Sequence, residues 1–468
     1  MSAARLETVV GGIDAEQKKA GLSPEQVFEQ ARRRETALSR VLILFIATGL
    51  AYMLLPGTFL GVWNLFAISS REAAGSVSAA WIQAHGHAQI FGWVLSFILG
   101  IGFYSLPKLR GGGRIALRQA QVCWALWTAA VALRWATNVY LWQWRILLPL
   151  SAGLELAAFL IFFRAVGGHR PPPRPDTAGR PQRSVLEAWS LLVIGATVML
   201  MLMLLANLGE SIRLAVSGAG PAFPPAFDQR FLLLAAWGCL VPFVWGFSAK
   251  WLPVFLGLKP ARSPLLLAAF SCEVAGVGVG IAGRLQLAAA LILIAAVLAV
   301  IALRLFVPTE RPPKTRGVHS TFPLFIRMAY VWLWIAAALG VWAAWSDAAG
   351  IWGASRHALT VGFIAMMIFS VGQRILPAFS GMRLLYSTRL MFAALALLAL
   401  GCPLRVGAEI LAYQGYWAHA WACLPVSAVI ELSAVTLFAL NLGLTFLLEP
   451  VGGPEYAANI AGVRDRRS

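Results

Sequence analysis

Residues 85–111 read HGHAQIFGWVLSFILGIGFYSLPKLRG, and two later stretches share this skeleton when they are aligned on His87. They are LLAAWGCLVPFVWGFSAKWLPVFLG at 233–257 and HALTVGFIAMMIFSVGQRILPAFSG at 357–381. Each copy has a glycine near its start, a Leu-Pro pair near its end and a closing glycine. These residues are Gly92, Gly238 and Gly362; Pro107, Pro253 and Pro377; and Gly111, Gly257 and Gly381. Three positions matched in three copies indicate an internal repeat.

The composition of the whole chain is that of an integral membrane protein. Of its 468 residues, 59% are hydrophobic and only 12% are charged, and the mean hydropathy is +0.73. A soluble protein carries roughly a quarter charged residues, whereas a helix that crosses a ~30 Å hydrocarbon core needs ~20 apolar residues. Twelve such runs are predicted, near 41–66, 79–107, 119–142, 146–164, 186–208, 231–255, 264–283, 286–306, 322–345, 357–378, 389–408 and 420–448.

The repeat predicts how these helices pack. Spans two, six and ten carry the three copies, so the period is four helices. Three such units predict an all-α polytopic bundle of about twelve transmembrane helices with pseudo-threefold symmetry. We expect residues 1–40 to form a cytoplasmic N-terminal extension, 41–448 the transmembrane domain, and 449–468 a cytoplasmic C-terminal tail.

Basic residues alternate between the connecting loops. Most of them follow the even-numbered spans, and the positive-inside rule therefore predicts a multi-pass inner-membrane protein with both termini in the cytoplasm. The net charge of +18 is explained by this orientation, so nucleic acid is not an expected partner. The cations concerned are Lys108, Arg110, Arg114, Arg118, Arg164, Arg170, Arg174, Arg180, Arg183, Lys259, Arg262, Arg304, Arg311, Lys314, Arg316, Arg383 and Arg389.

The histidines are the main candidates for chemistry. Two of the six, His169 and His319, lie in basic loops, where a solvated side chain is the simple interpretation. Ionisable residues within membrane spans are functional candidates by default, and neutral imidazole is the commonest metal ligand. The other four histidines begin spans two, ten and twelve at the outward end, and they are His85, His87, His357 and His419.

His87 and His357 occupy equivalent positions in two copies of the repeat. Threefold packing would bring their helices to face one centre at one membrane depth. Two facing imidazoles predict bis-histidine ligation of a six-coordinate haem iron. The five cysteines are widely spaced and no Cys-x-x-Cys-His attachment site exists, so this would be a non-covalent b-type haem.

His85 and His87 point to different sides of their helix. At ~100° per residue they lie ~200° apart, so both cannot bind one iron on its two faces. Either one of them is structural, or the helix serves two centres, one on each side. His419 is a further candidate ligand for the second centre.

Several charged residues lie deep in the predicted spans. Arg134 and Glu155 are both ~14 Å from the outward ends of their spans, which predicts a buried ion pair. A structural ion pair is the simple interpretation, and a role in proton transfer or in binding a haem propionate, with Arg134 as a cofactor-binding residue, is the alternative. Arg356 is a candidate partner for a haem propionate, although an ordinary interfacial arginine explains it equally well. Glu273 and Glu431 are mid-span carboxylates whose partners the sequence does not indicate.

The stretches HGHAQIFG at 85–92 and HALTVG at 357–362 resemble the NnrS family. Its members are twelve-span bacterial membrane proteins of the nitric oxide response and denitrification that bind haem and copper. The resemblance implies haem b with copper as a second metal, and nitric oxide or an iron-nitrosyl species as ligand. The motif-level match covers about fifty residues, and the rest agrees in span number and layout.

A wider resemblance is to the catalytic subunit of haem–copper oxidases and nitric oxide reductases. It implies that span two and His357 on span ten hold a low-spin haem, and LPAFSG at 376–381 resembles the family's ending of span ten. Ser355 stands where the ligand of the high-spin haem would be, and spans six and seven have no histidine for copper. The usual binuclear centre is therefore not expected.

Three functions remain open on the sequence. The first is a b-type haem protein that handles nitric oxide or nitrosative stress. The second is a divergent oxidoreductase subunit that passes electrons through a low-spin haem to a partner. The third is a metal or small-solute transporter, which the repeats disfavour because they all run in the same direction.

Overall fold

The computed structural model describes residues 23–109, 116–167, 187–346 and 348–448. Within these ranges the chain forms twelve long helices and no strands, and four helices contain π-helical segments. The helices are α1 (Pro24–Tyr52, Met53–Phe59 and Leu60–Arg71), α2 (Ala79–His87, Ala88–Leu95 and Ser96–Leu109), α3 (Leu117–Tyr140), α4 (Trp144–Gly167), α5 (Ala188–Ser217), α6 (Pro225–Leu233, Leu234–Leu240 and Val241–Leu256), α7 (Ser263–Ile281), α8 (Leu285–Leu303), α9 (Phe322–Trp345), α10 (Ile351–His357, Ala358–Ala365, Ile368–Gly372 and Gln373–Phe379), α11 (Thr388–Tyr413) and α12 (Ala420–Leu447).

The predicted twelve-helix membrane bundle is confirmed. Eleven of the twelve helices are long and apolar enough to cross a membrane. The exception is α3, whose sequence carries Arg118 and Arg134 among other polar residues, yet it packs between α2 and α4 like its neighbours. The helix α1 begins at Pro24 and so continues through residues assigned to the N-terminal extension. Residues 1–22, the loop cations at 110–115 and 168–186, His169 and the tail 449–468 lie outside the described residues.

Neighbouring helices pack in three arcs that share the repeat helices α2, α6 and α10. Arc A runs from α2 through α3, α4 and α5 to α6, and arc B from α6 through α7, α8 and α9 to α10. Arc C runs from α10 through α11, α12 and α1 back to α2. This is the pseudo-threefold arrangement that the four-helix period predicted.

The three repeat helices form the centre of the bundle. The most apolar windows of α2, α6 and α10 are 89%, 78% and 72% buried, whereas the other membrane-spanning helices range from 33% to 44%. In each of the three, a π-helical segment begins directly after the first residue of the repeat, at Ala88, Leu234 and Ala358. The repeat is therefore one of backbone geometry as well as of sequence.

Close helix packing and positive φ angles explain why the repeat has glycines at these positions. A Cβ on Gly92 would lie 2.7 Å from Tyr52, and one on Gly362 would lie 2.5 Å from Trp332, so glycine allows close packing of a neighbouring helix. Gly257 and Gly381 have φ angles of +68° and +100°, which glycine adopts without strain after a helix C-terminus. The third closing glycine, Gly111, lies outside the described residues.

Candidate functional site

We call the end of the bundle where α2 and α10 begin the histidine end, because His85, His87 and His357 lie there. His85 and His87 face opposite sides of α2. His85 Nδ1 lies 2.8 Å from the carbonyl oxygen of Gly57 on α1, towards arc C. His87 Nε2 lies 2.9 Å from Glu155 Oε1 on α4, towards arc A. The two histidines thus belong to two separate clusters.

In arc C, His357 is held between two charged residues of α11. Its Nδ1 lies 2.9 Å from Glu409 Oε2, and its Nε2 lies 3.3 Å from Arg405 Nη2. A guanidinium can only donate hydrogen bonds, so Nε2 accepts from Arg405 and Nδ1 donates its proton to Glu409. His357 is therefore a neutral imidazole whose Nε2 lone pair is directed away from Glu409.

His85 has the same tautomer for a different reason. The Gly57 carbonyl can only accept, so Nδ1 of His85 carries the proton and Nε2 presents a lone pair. The ring packs directly on α1, because a Cβ on Gly61 would lie 2.6 Å from its Cε1 atom. His357 and Arg405 are its electrostatic neighbours. His85 and His357 thus share one feature: each has Nδ1 held by an oxygen, which is how proteins orient metal-binding imidazoles.

The charges around His357 are buried and incompletely paired. Arg405 Nη2 lies 3.8 Å from Glu409 Oε2, one helical turn along α11, and both residues are at most 7% exposed. Arg405 Nη1 is buried and has no hydrogen-bond partner among the described residues. Glu409 needs the glycine opposite it, because a Cβ on Gly353 would lie 2.0 Å from its Oε1 atom. The cluster therefore contains one buried hydrogen-bond donor, Arg405 Nη1, that has no partner among the described residues.

In arc A, His87 lies against a buried carboxylate. Glu155 is completely buried, and its Oε2 accepts a 2.7 Å hydrogen bond from Asn207 Nδ2 on α5. The His87 ring stacks on Phe91 with centroids 4.2 Å apart. His87 Nε2 is therefore paired with Glu155, whereas Nδ1 of His87 is buried and makes no hydrogen bond with a described residue.

Arg134 and Glu155, which the sequence predicts to be an ion pair, are not in direct contact: no salt bridge within 4.0 Å joins them, although Glu155 is the first electrostatic neighbour of Arg134. Arg134 Nη1 donates to Ser211 Oγ at 3.4 Å, and the guanidinium lies 4.4 Å above the ring of Phe223. Arg134 is six residues from the end of α3 at Tyr140, whereas Glu155 is eleven residues from the start of α4. At 1.5 Å per residue their depths differ by ~7 Å. The sequence analysis placed Arg134 and Glu155 at equal depths only because the predicted ends of spans three and four differ from the observed helix ends.

The other two candidates, Arg356 and His419, make no hydrogen bond with His85, His87 or His357 in the described part of the chain. Arg356 donates a hydrogen bond to Gln229 Oε1 on α6, and Asp228 and Glu409 are its electrostatic neighbours. His419 precedes α12 as an exposed residue next to the ring of Trp417. Arg356 therefore lies between the arcs, while His419 has no place in either cluster.

Arcs A and C share a polar pattern that the sequence analysis missed. Arg134 and Asn138 on α3 have the same four-residue spacing as Arg405 and Glu409 on α11. In addition, Glu155 and Glu431 each lie eleven residues after the start of α4 and α12. Comparison of the helices that follow each repeat copy could have found these pairs.

Arc B departs from this pattern. Leu233 stands at the position of His87 and His357, and α6 to α9 contain no histidine. A small, mostly apolar cleft with a volume of about 40 Å³ lies here, lined by residues such as Trp237, Ala288 and Ala336. In the described part of the chain, no three His, Cys, Asp or Glu side chains are placed together to hold a metal ion.

Comparisons with known proteins agree with this architecture. The family model described as "NnrS protein" matches residues 42–450. A haem–copper terminal oxidase, solved as a dimer by cryo-electron microscopy, is similar in structure with a TM-score of 0.56. The similarity covers 89% of this chain and 85% of the oxidase chain at 12% sequence identity, so it supports the fold alone. No curated protein matches the chain in sequence.

Proposed function

The chain belongs to the NnrS family, and from this premise we propose that it is a b-type haem protein of the nitric oxide response, with the haem held by His85 and His357. The main support for this proposal is that the two imidazoles have the same tautomer. Each has Nδ1 held by an oxygen and presents its Nε2 lone pair within one cluster. Haem iron accepts one such nitrogen on each face.

The residues around these imidazoles fit an anionic prosthetic group. An iron bound at His357 Nε2 would take the place of the Arg405 contact and leave that guanidinium free. Arg405 Nη1 is already buried without a partner, and Arg356 is a second cation in reach of Glu409. Arginine pairs well with carboxylates such as haem propionates. His85, His357, Arg405 and Arg356 are therefore the residues that would hold the haem.

Glu409 and the two histidine ligands would determine the redox and ligand-binding properties of the haem. The haem supplies a redox-active iron, and Glu409 fixes the tautomer of His357 and raises the basicity of its Nε2. An iron with two imidazole ligands has no free position, which favours electron transfer over direct binding of nitric oxide. A haem subunit that passes electrons to a partner is thus the second candidate function.

We also propose that the histidine end faces the periplasm of a bacterial inner membrane, with both termini in the cytoplasm. The basic loops at the opposite end support this orientation. They include Lys259 and Arg262 after α6 and Arg383 after α10.

The test is haem analysis of the purified protein and its single variants. We expect about one haem per chain, with a reversible reduced-minus-oxidised b-type spectrum. His85→Ala and His357→Ala should lose the haem, whereas His87→Ala and the exposed control His419→Ala should retain it. Full haem in His85→Ala, or loss in His87→Ala alone, would contradict the assignment.

Spectra recorded with and without nitric oxide separate the two candidate functions. A change in the spectrum on addition of nitric oxide supports direct handling of this ligand. An unchanged spectrum with normal reduction supports an electron-transfer role.

A further inference from the structure

Glu273 on α7 is a buried carboxyl group that belongs to neither histidine cluster. It is 0% exposed, and both of its oxygens are buried without a hydrogen-bond partner among the described residues. It lies eight residues from the end of α7 at Ile281 and ten residues from its start at Ser263. At 1.5 Å per residue these separations are ~12 Å and ~15 Å, so Glu273 is close to the middle of its span.

The side of α7 that carries Glu273 faces the interior of arc B. Val277, one helical turn away, would lie 3.4 Å from a Cβ on Gly238 of α6. A Cβ on Gly280, two turns away, would lie 3.1 Å from Ala288 on α8. Residues four and seven apart share one face of a helix, so the carboxyl group of Glu273 is directed between α6 and α8.

No cation is placed to neutralise a carboxylate at this position in the described part of the chain. The helix α7 packs mainly against α5, α6 and α8, and α8 has no ionisable residue. The thiols Cys239 on α6 and Cys272 on α7 are the other ionisable side chains of these helices near this depth. The charged residues of α5 and α6 lie towards the helix ends, and they are Glu210, Arg213, Asp228, Arg230 and Lys250.

The mid-span carboxyl group of arc C has a different environment. Glu431 has Arg405 as an electrostatic neighbour, whereas Glu273 has no charged neighbour. An isolated carboxylate is so costly to bury in apolar surroundings that the group takes up a proton instead. Isolation of Glu273 therefore favours its neutral acid form.

The neutral acid also gains a hydrogen-bond donor, which a carboxylate lacks. Pro242 on α6 lies one helical turn beyond Gly238, at about the depth of Glu273. A proline has no N–H to donate to the preceding turn of its helix, so the backbone there offers a carbonyl oxygen that the O–H of an acid could use.

We propose that Glu273 is a proton-binding site of arc B, a carboxylic acid at neutral pH that exchanges its proton within the membrane-spanning bundle. Ionisable groups inside membrane spans serve as proton relays in other membrane proteins. Uptake of the proton removes one negative charge from the centre of arc B, and its release restores that charge. The site does not rest on the proposed haem, because arc B has Leu233 at the position of the repeat histidines.

Infrared spectroscopy of the full-length protein in detergent at neutral pH tests this proposal. A carboxylic acid has a C=O stretching band that is separate from the bands of carboxylates. We expect the wild type to show an acid band that is lost in Glu273→Gln. The band should shift to lower frequency in D₂O, because deuterium replaces the exchangeable proton.

The matched control is Glu155→Gln. Glu155 is also 0% exposed, but it contacts His87 at 2.9 Å and Asn207 at 2.7 Å. This variant should therefore keep the band that Glu273→Gln loses. Haem content is measured on the same samples and should be equal in the wild type and Glu273→Gln, so failure of the haem assignment is seen separately.

Three results would overturn the proposal. If the wild type shows no acid band, or if Glu273→Gln keeps every acid band, Glu273 is ionised. If the band assigned to Glu273 stays unshifted after prolonged incubation in D₂O, the proton is trapped and the residue is not an exchange site. Glu273→Asp retains an acid and should move the band rather than remove it, which assigns the band even if the glutamine variant fails to fold.

Discussion

Glu409 is the residue that sets the chemistry of His357, because its carboxylate accepts the Nδ1 proton at 2.9 Å. Replacement by an amide removes the negative charge but keeps an acceptor. We expect Glu409→Gln to retain the haem with a more positive midpoint potential, since a less basic imidazole stabilises the ferric state less. Glu409→Leu removes the acceptor and should weaken haem binding by about 10- to 100-fold. Potentiometric titration and haem titration measure the two effects, and equal behaviour of both variants would contradict the role given to Glu409.

Gly61 is expected to be essential for the position of His85. A Cβ at this residue would lie 2.6 Å from the imidazole, so Gly61→Ala must displace the ring or the helix. Overpacking of this kind costs about 1–3 kcal/mol, and haem occupancy should fall with stability. The control is Gly153→Ala on α4, where a Cβ meets nothing within 4 Å. Thermal unfolding in detergent and haem content should change in the first variant only.

At the level of single residues, the sequence was sufficient to predict His85, His87 and His357 as candidate functional residues, because they are ionisable groups at repeat positions in apolar helices. It was not sufficient to predict Glu409 as the partner of His357. That pairing depends on which face of α11 turns towards α10, and the nearly uniform apolar sequence of α11 leaves this face undefined. The repeat was the one available signal, through the shared spacing of Arg405 and Glu409 with Arg134 and Asn138.

At the level of elements, helix existence was predictable and helix detail was not. Long apolar runs identified eleven of the twelve helices, because a helix that crosses a hydrocarbon core needs them, and α3 is the more polar exception. The π-helical segments of α2, α6 and α10 were not foreseen, since one extra residue per turn leaves no mark in an apolar stretch. The exact helix ends were also missed, and this displaced the depths of Arg134 and Glu155.

The end of α6 provides a test of helix termination. Gly257 has φ of +68°, and a Cβ there would lie 2.0 Å from the carbonyl oxygen of Arg311. Gly257→Ala combines a left-handed conformation with a backbone clash, so we expect a loss of stability of at least about 1–2 kcal/mol. Gly278→Ala on α7, where a Cβ would meet nothing within 4 Å, is the control. Equal unfolding temperatures of the two variants would show that the loop after α6 adapts without cost.

At the level of the whole molecule, the repeat explains why two arcs are polar and one is not. Arcs A and C each combine a histidine of the repeat with buried arginine and glutamate residues, whereas arc B has Leu233 and an apolar cleft instead. Copies of one four-helix unit have thus diverged within a common backbone. The sequence indicates the four-helix period of the repeat. Only the packing of the helices shows that His85 faces arc C and that His87 faces arc A.

Charged residues also connect the arcs electrostatically, and this leads to a prediction about the stability of the whole bundle. Asp228 on α6 has Arg134 of arc A and Arg356 as electrostatic neighbours, and Glu409 of arc C is a further neighbour of Arg356. Asp228→Asn leaves two arginines without the carboxylate between them. At this partly buried position we expect a loss of about 1–3 kcal/mol.

A double-mutant cycle distinguishes this network from independent contacts. If Asp228 acts mainly by neutralising Arg356, the double variant Asp228→Asn/Arg356→Gln should be more stable than the sum of the two single losses predicts. The expected coupling energy is about 0.5–3 kcal/mol, measured by thermal unfolding of the full-length protein in detergent. Strict additivity would mean that the two residues act separately, and the charges of arcs A and C would then be uncoupled. Asp228 lies on α6, the helix that ends arc A and begins arc B and that has Leu233 where the other two repeat copies have histidine. A measured coupling would therefore assign α6 a structural role between the polar clusters.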